Sequence, residues 1–133
     1  MSALERFLRY VEIDTQSQEG SASAPSTEKQ LVLSRLLMEE LRALGLQDVH
    51  MDAAGNTFGR LPGNVPGAPA IGLVAHVDTS EAVSGANVKP RIVRYDGGVI
   101  ELSPGISMSE ENVPELAACR GEELIVTDGT TLL

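Results

Sequence analysis

Ala70-Ile71-Gly72-Leu73-Val74-Ala75 runs without a polar side chain into His76-Val77-Asp78. An unbroken apolar run of this length is what a strand covered on both faces requires. Side chains at i and i+2 of a strand point to the same side, so His76 and Asp78 are expected to share one face at the end of that strand. Ligands collect at the carboxyl ends of parallel strands. A metal-bound imidazole commonly gives its second N–H to a carboxylate or carbonyl, which fixes the tautomer. His76 is therefore the candidate metal ligand and Asp78 the group that orients it. A catalytic zinc takes about three protein ligands and keeps one position for water, and no second cluster of His, Cys and acidic residues completes the set.

The flanking sequence places this strand in a layered α/β domain. Ser2-Ala3-Leu4-Glu5 has the form of a capping box, and Leu4, Phe7, Leu8 and Val11 repeat on one helical face. Ile13 to Ala24 is polar and reads as a loop. Pro25-Ser26-Thr27-Glu28 predicts a second helix start, with Leu33, Leu36, Leu37, Leu41 and Leu44 as its apolar face and Gly45 as its left-handed end. Val49 to Asp52 and Thr57 to Leu61 are expected as short strands around Ala53-Ala54-Gly55-Asn56. Pro62 to Pro69 is a Pro- and Gly-rich loop.

After the His76 segment, Arg91 to Tyr95 and Val99 to Leu102 are expected as strands around Asp96-Gly97-Gly98. Residues 103 to 121 have no clear period. Leu124-Ile125-Val126-Thr127, Asp128-Gly129 and Thr130-Thr131-Leu132-Leu133 together predict a β-hairpin, because Asp-Gly suits a two-residue type I′ turn.

Composition narrows the function classes. The 133 residues are one domain's worth of chain, and the net charge of −9 argues against nucleic acid, which demands clustered Lys and Arg. No apolar run reaches the roughly 18 residues of a membrane span, and Met1 to Tyr10 lacks the apolar segment of a signal peptide. Cys119 is the single cysteine, so no intrachain disulfide forms. The expected compartment is the cytoplasm.

Other reactive side chains have simpler readings. His50 is expected as a partly exposed strand residue. Cys119 has Arg120 beside it but no histidine nearby in sequence, so nucleophile chemistry is not assigned. Asp128 is accounted for as a turn former, and Asp14 and Thr15 as loop caps. Gly72 and Gly97-Gly98 match no phosphate-binding pattern.

Several ordered segments carry a resemblance. They are Leu4-Glu5-Arg6-Phe7-Leu8-Arg9-Tyr10-Val11, Asp14-Thr15-Gln16-Ser17, Pro25-Ser26-Thr27-Glu28, Ile71-Gly72 through His76-Val77-Asp78-Thr79-Ser80, Ser84-Gly85-Ala86-Asn87-Val88, and Thr127-Asp128-Gly129-Thr130-Thr131-Leu132-Leu133. In order and spacing the chain resembles the N-terminal part of the peptidase T family, tripeptide aminopeptidases of the di-zinc exopeptidase clan. The resemblance implies that residues 1–133 form an incomplete portion of a three-layer catalytic domain, a mixed sheet flanked by helices. It implies that His76 ligates one of two zinc ions, that Asp78 orients His76 or tunes the bound water, and that the substrates are short peptides. Family members are longer. Their Thr-Leu-Leu end leads into Gly-Ala-Asp-Asp, whose aspartate bridges both metals, and the general-base glutamate and an inserted dimerisation domain follow.

On that basis the chain alone is expected to be inactive and to bind zinc weakly or not at all. Self-association through uncovered surfaces is also expected. The competing reading is a stand-alone, non-catalytic α/β module serving interaction or assembly.

Overall fold

The computed structural model describes residues 1–132. The chain divides into two compact units, one made of Thr15–Glu81 and the other of Met1–Asp14 with the described residues from Ala82 onward. Helices and short antiparallel sheets make the content α/β.

In the discontinuous unit, α1 (Ala3–Tyr10) begins at the expected capping box. The Ser2 hydroxyl accepts from the Glu5 N–H, and the Glu5 carboxylate accepts from the Ser2 N–H. These are two of the orphan donors that every helix start must satisfy. The strands β3 (Arg91–Tyr95), β4 (Ile100–Ser103), β5 (Ile106–Met108) and β6 (Glu122–Val126) follow, with a 3-10 helix at Pro114–Cys119. Both strands expected around Asp96-Gly97-Gly98 form, but each takes another partner. β3 pairs antiparallel with β6, from Arg91 opposite Val126 to Tyr95 opposite Glu122. β4 pairs with β5 across Pro104-Gly105. Proline's fixed φ and a glycine at φ +81° suit the two central positions of a type II turn. Tyr95, Ile100 and Leu116 form the buried core, with Val93, Leu102, Met108, Val113, Cys119 and Leu124 packed around them.

The Asp128-Gly129 hairpin does not form. Leu124 to Val126 lie in β6, whose partner is β3, and Leu133 lies outside the described residues. The side chains at this turn are used locally. The Asp128 carboxylate accepts from the Thr130 N–H at 3.0 Å and from its hydroxyl at 2.6 Å, and the Thr127 hydroxyl accepts from the Gly129 N–H at 3.2 Å. The Ser103 hydroxyl donates to the Asp128 carbonyl at 2.8 Å, which docks the turn on the β4–β5 hairpin. Asp128 is a turn former as expected, in an Asx-type turn.

In the continuous unit, α2 (Gln30–Ala43) packs on the hairpin of β1 (Gln47–Met51) and β2 (Thr57–Arg60). It starts five residues after Pro25, because the expected hydroxyl caps are engaged elsewhere. The Thr27 hydroxyl donates to the Gln16 carbonyl at 2.7 Å, and the Ser26 hydroxyl accepts from the Gln18 N–H at 3.1 Å. Its end is as expected. Gly45 stands at φ +81°, the Leu46 N–H bonds the Leu41 carbonyl and the Gly45 N–H bonds the Arg42 carbonyl. That pair of bonds is a Schellman motif. Asp52 closes the β1–β2 turn, accepting from the N–H groups of Ala54 and Asn56 and from the Asn56 amide at 2.8–3.0 Å. These bonds hold its carboxyl below the ordinary carboxylate range, the Asn56 side chain contributing most.

The expected buried strand at Ala70–Ala75 is corrected. The segment has no regular structure, and Ile71, Leu73 and Val74 are 86%, 96% and 98% exposed. An apolar strand is buried only where neighbours pair with both its edges and cover both faces. None of the described strands does so: the six form three two-stranded sheets that leave Ala70–Ala75 out.

Candidate metal centre

His76 and Asp78 are in contact, although not on the strand expected to present them. His76 Nδ1 lies 2.8 Å from the Asp78 carbonyl oxygen and 3.2 Å from Asp78 Oδ1. A carbonyl oxygen only accepts, so Nδ1 carries the proton and donates. In the neutral ring this leaves the lone pair on Nε2. The His76 side chain is 85% exposed and that of Asp78 43%, so the ring is presented to the outside. A metal-ligating imidazole commonly has its second nitrogen fixed by an oxygen acceptor in this way. The donor set fits zinc in kind but not in number. Among the described residues no group of three or more His, Cys, Asp or Glu side chains converges.

The peptide that follows Asp78 is held by a distant segment. Gln16 and Thr79 form a parallel bridge. The Thr79 N–H donates to the Thr15 carbonyl at 3.2 Å, and the Thr79 carbonyl accepts from both the N–H and the hydroxyl of Ser17 at 2.9 Å. Thr15 is 3% exposed. Its reading as a loop cap missed this contact, because a bridge across more than sixty residues leaves no periodic mark in sequence.

His50 and Cys119 have local partners. His50 stacks on Phe58 across the β1–β2 hairpin with ring centroids 5.0 Å apart, and its Nδ1 lies 2.8 Å from the Asp48 carbonyl. Cys119 is half-buried, and its thiol contacts the Glu115 carbonyl at 3.7 Å. Arg120 turns to Glu110 instead, in a two-pronged pair at 2.6 and 2.7 Å. The Tyr95 hydroxyl donates to the same carboxylate at 2.9 Å. Arg120 first, then Tyr95, holds Glu110 below the ordinary carboxylate range. Loss of solvent first, then the Glu110 carboxylate, pushes the Tyr95 phenol up. Through Tyr95 this cluster joins the Tyr95–Ile100–Leu116 core.

No family model matches the chain. Curated relatives do. Peptidase T of Desulfitobacterium hafniense strain Y51 is 54% identical over 136 residues, covering 99% of this chain and 33% of that protein. Peptidase T of Shouchella clausii is 49% identical over 131 residues, covering 98% and 32%. Peptidase T of Aliivibrio fischeri is 49% identical over 133 residues, again 98% and 32%. The chain thus spans about a third of the length of the curated relatives it matches. Identity near one half across almost every residue, in proteins that share one name, places these 133 residues in the peptidase T family.

Proposed function

We propose that the chain supplies one metal-binding edge of a tripeptide aminopeptidase site, with His76 as a zinc ligand through Nε2 and Asp78 as its orienting partner. The observation that carries this reading is the His76 ring itself: exposed, with Nδ1 tied to Asp78 and Nε2 open, in a chain about half identical to peptidase T proteins. Zinc bound there would serve as Lewis acid toward a peptide carbonyl and its attacking water. His76 contributes a neutral nitrogen donor. Asp78 holds the tautomer that frees this donor and strengthens it by accepting the Nδ1 proton in a hydrogen bond.

One donor does not hold zinc, since catalytic sites use about three protein ligands. The remaining ligands and the general base belong to residues outside these 133, within a three-layer domain whose sheet takes in Ala70–Ala75. The exposed Ile71, Leu73 and Val74 support that reading, and they are the surface through which the isolated chain self-associates. The purified chain accordingly has negligible tripeptidase activity and binds no stoichiometric zinc. No described helix is long and apolar enough to cross a membrane, and catalysis in the cytoplasm fits that.

The test is a chimera in which this chain replaces the matching third of the Desulfitobacterium hafniense relative. It is expected to bind zinc and release the N-terminal residue of Ala-Ala-Ala, and His76→Ala is expected to abolish both without loss of fold. Full zinc occupancy and turnover in the His76→Ala chimera would overturn the assignment. A non-catalytic assembly module is the competing reading. It predicts a folded chimera that never cleaves peptides.

A further inference from the structure

We infer that the Thr15–Ser17 segment, held by Thr27 and Gln30, is a clamp that positions the His76 imidazole; as a metal-ligand device it rests on the reading just given. The joint of the clamp is the Asp78–Thr79 peptide. Its carbonyl accepts the His76 Nδ1 proton at 2.8 Å, and its N–H donates to the Thr15 carbonyl at 3.2 Å. A trans peptide is planar, and its C=O and N–H point in opposite directions. Fixing the N–H on Thr15 therefore fixes the direction of the carbonyl that orients the ring. Ser17 grips the next carbonyl twice, through its N–H and its hydroxyl, both at 2.9 Å.

The clamp is braced from behind. The Thr27 hydroxyl donates to the Gln16 carbonyl at 2.7 Å and accepts from the Gln30 amide at 3.1 Å. The same amide nitrogen lies 3.0 Å from the Ser26 hydroxyl, which receives the Gln18 N–H. Gln30 is the first residue of α2 and only 8% exposed. A chain of hydrogen bonds thus runs from a helix end through Thr27 and Gln16 to the peptide beside His76. Ala70 to Asp78 has no regular structure of its own, so this bracing is what the segment has in place of a sheet. Thr79 takes part through its backbone only. Its hydroxyl is buried and has no hydrogen-bond partner.

The experiment reads the His76 ring in the metal-free chain by 15N NMR. His50 serves as internal reference, because its own contacts run to Asp48 and Phe58. In the parent chain His76 is expected as the Nδ1–H tautomer. Thr27→Val and Ser17→Ala are expected to move its two nitrogen signals toward an averaged position and leave those of His50 unchanged. Thr27→Ser, which keeps the hydroxyl, and Thr79→Val, which removes only the unpartnered one, are expected to leave His76 as in the parent. In the chimera, Thr27→Val is expected to weaken zinc binding about 10- to 100-fold, as loss of ligand-orienting partners does. Unchanged His76 signals in both Thr27→Val and Ser17→Ala would overturn the clamp, as would an equal response to Thr79→Val. Shifted signals with unaltered zinc affinity would uphold the clamp and overturn the metal assignment instead.

Discussion

Gly129 lies at φ +80° at the end of the Asp128 turn, and a Cβ added to it would come 2.7 Å from Ile106 Cγ2 and 3.2 Å from Leu102 Cδ1. Gly105, in the β4–β5 turn of the same unit, has φ +81°, but a methyl group there would meet nothing within 4 Å. The two glycines therefore separate two costs. A non-glycine residue in the left-handed region costs about 1–2 kcal/mol, and Gly105→Ala should show that alone. Gly129→Ala adds overpacking, about 1–3 kcal/mol in a close-packed site. The sum for Gly129→Ala is about 2–5 kcal/mol. Leu102 can rotate its end away, but Ile106 Cγ2 is fixed to Cβ and moves only if χ1 leaves its well. Urea unfolding followed by circular dichroism reads the difference as a midpoint shift at constant slope. Gly129→Ala should lower the midpoint about 1.5- to 4-fold more than Gly105→Ala. Ile106→Leu, which removes the branch at Cβ, should rescue part of the loss in the double variant, a departure from additivity expected of touching side chains. Equal midpoint shifts for the two alanine variants, or strict additivity with Ile106→Leu, would refute the docking of the Asp128 turn on the β4–β5 hairpin.

Asp52, Glu110 and Asp128 are all held below their ordinary values, chiefly by hydrogen bonds from Asn56, Arg120 and Thr130 respectively. As pH falls the unfolded chain takes up these protons first, so the stabilisation is complete above the ordinary carboxylate values and is lost as pH drops through the depressed ones. Acid titration of the urea midpoint should show this, and Asp52→Asn should flatten part of the slope. Tyr95 runs the other way: its phenol is raised by burial and by Glu110, so its contribution is whole below the ordinary tyrosine value of 10.0 and fades as pH rises through the folded one. Ultraviolet titration should show a delayed tyrosinate step that disappears in Tyr95→Phe.

What can be read from sequence follows from the reach of the interactions concerned. The Ser2–Glu5 box, the Gly45 helix end and the Asp52–Asn56 turn each involve residues no more than five apart, and each forms where expected. The His76–Asp78 contact is as short in reach, but it forms without the strand expected to present it, and its shorter bond runs to the Asp78 carbonyl and not to the carboxylate. Pairings across longer stretches are not legible. Arg91 to Tyr95 is recognisable as a strand, but nothing in it names Glu122 to Val126 as partner. The Asp-Gly signal points to a hairpin because turn chemistry is local, whereas strand partners are settled by competition along the whole chain. The Thr15–Thr79 contact escapes for the same reason.

Ala70–Ala75 is where local preference and tertiary structure disagree most. Six consecutive apolar residues ask for cover on both faces, yet Leu73 and Val74 are almost fully exposed. Consistency between local pattern and global packing is what gives a sequence one stable structure, so this run marks a place where packing is incomplete within the described residues. His76 stands at the end of the same run, and among the described residues no group of three or more possible metal ligands forms around it. In the proposed reading the two deficits have one remedy: strands that pair with Ala70–Ala75 bring further metal ligands to the edge where His76 already waits. The chimera therefore should lose the exposed apolar surface and gain zinc together. Protection of the Leu73 and Val74 amides from hydrogen exchange, appearing in step with zinc occupancy, is the measurement that ties them; protection without zinc, or zinc without protection, would separate them.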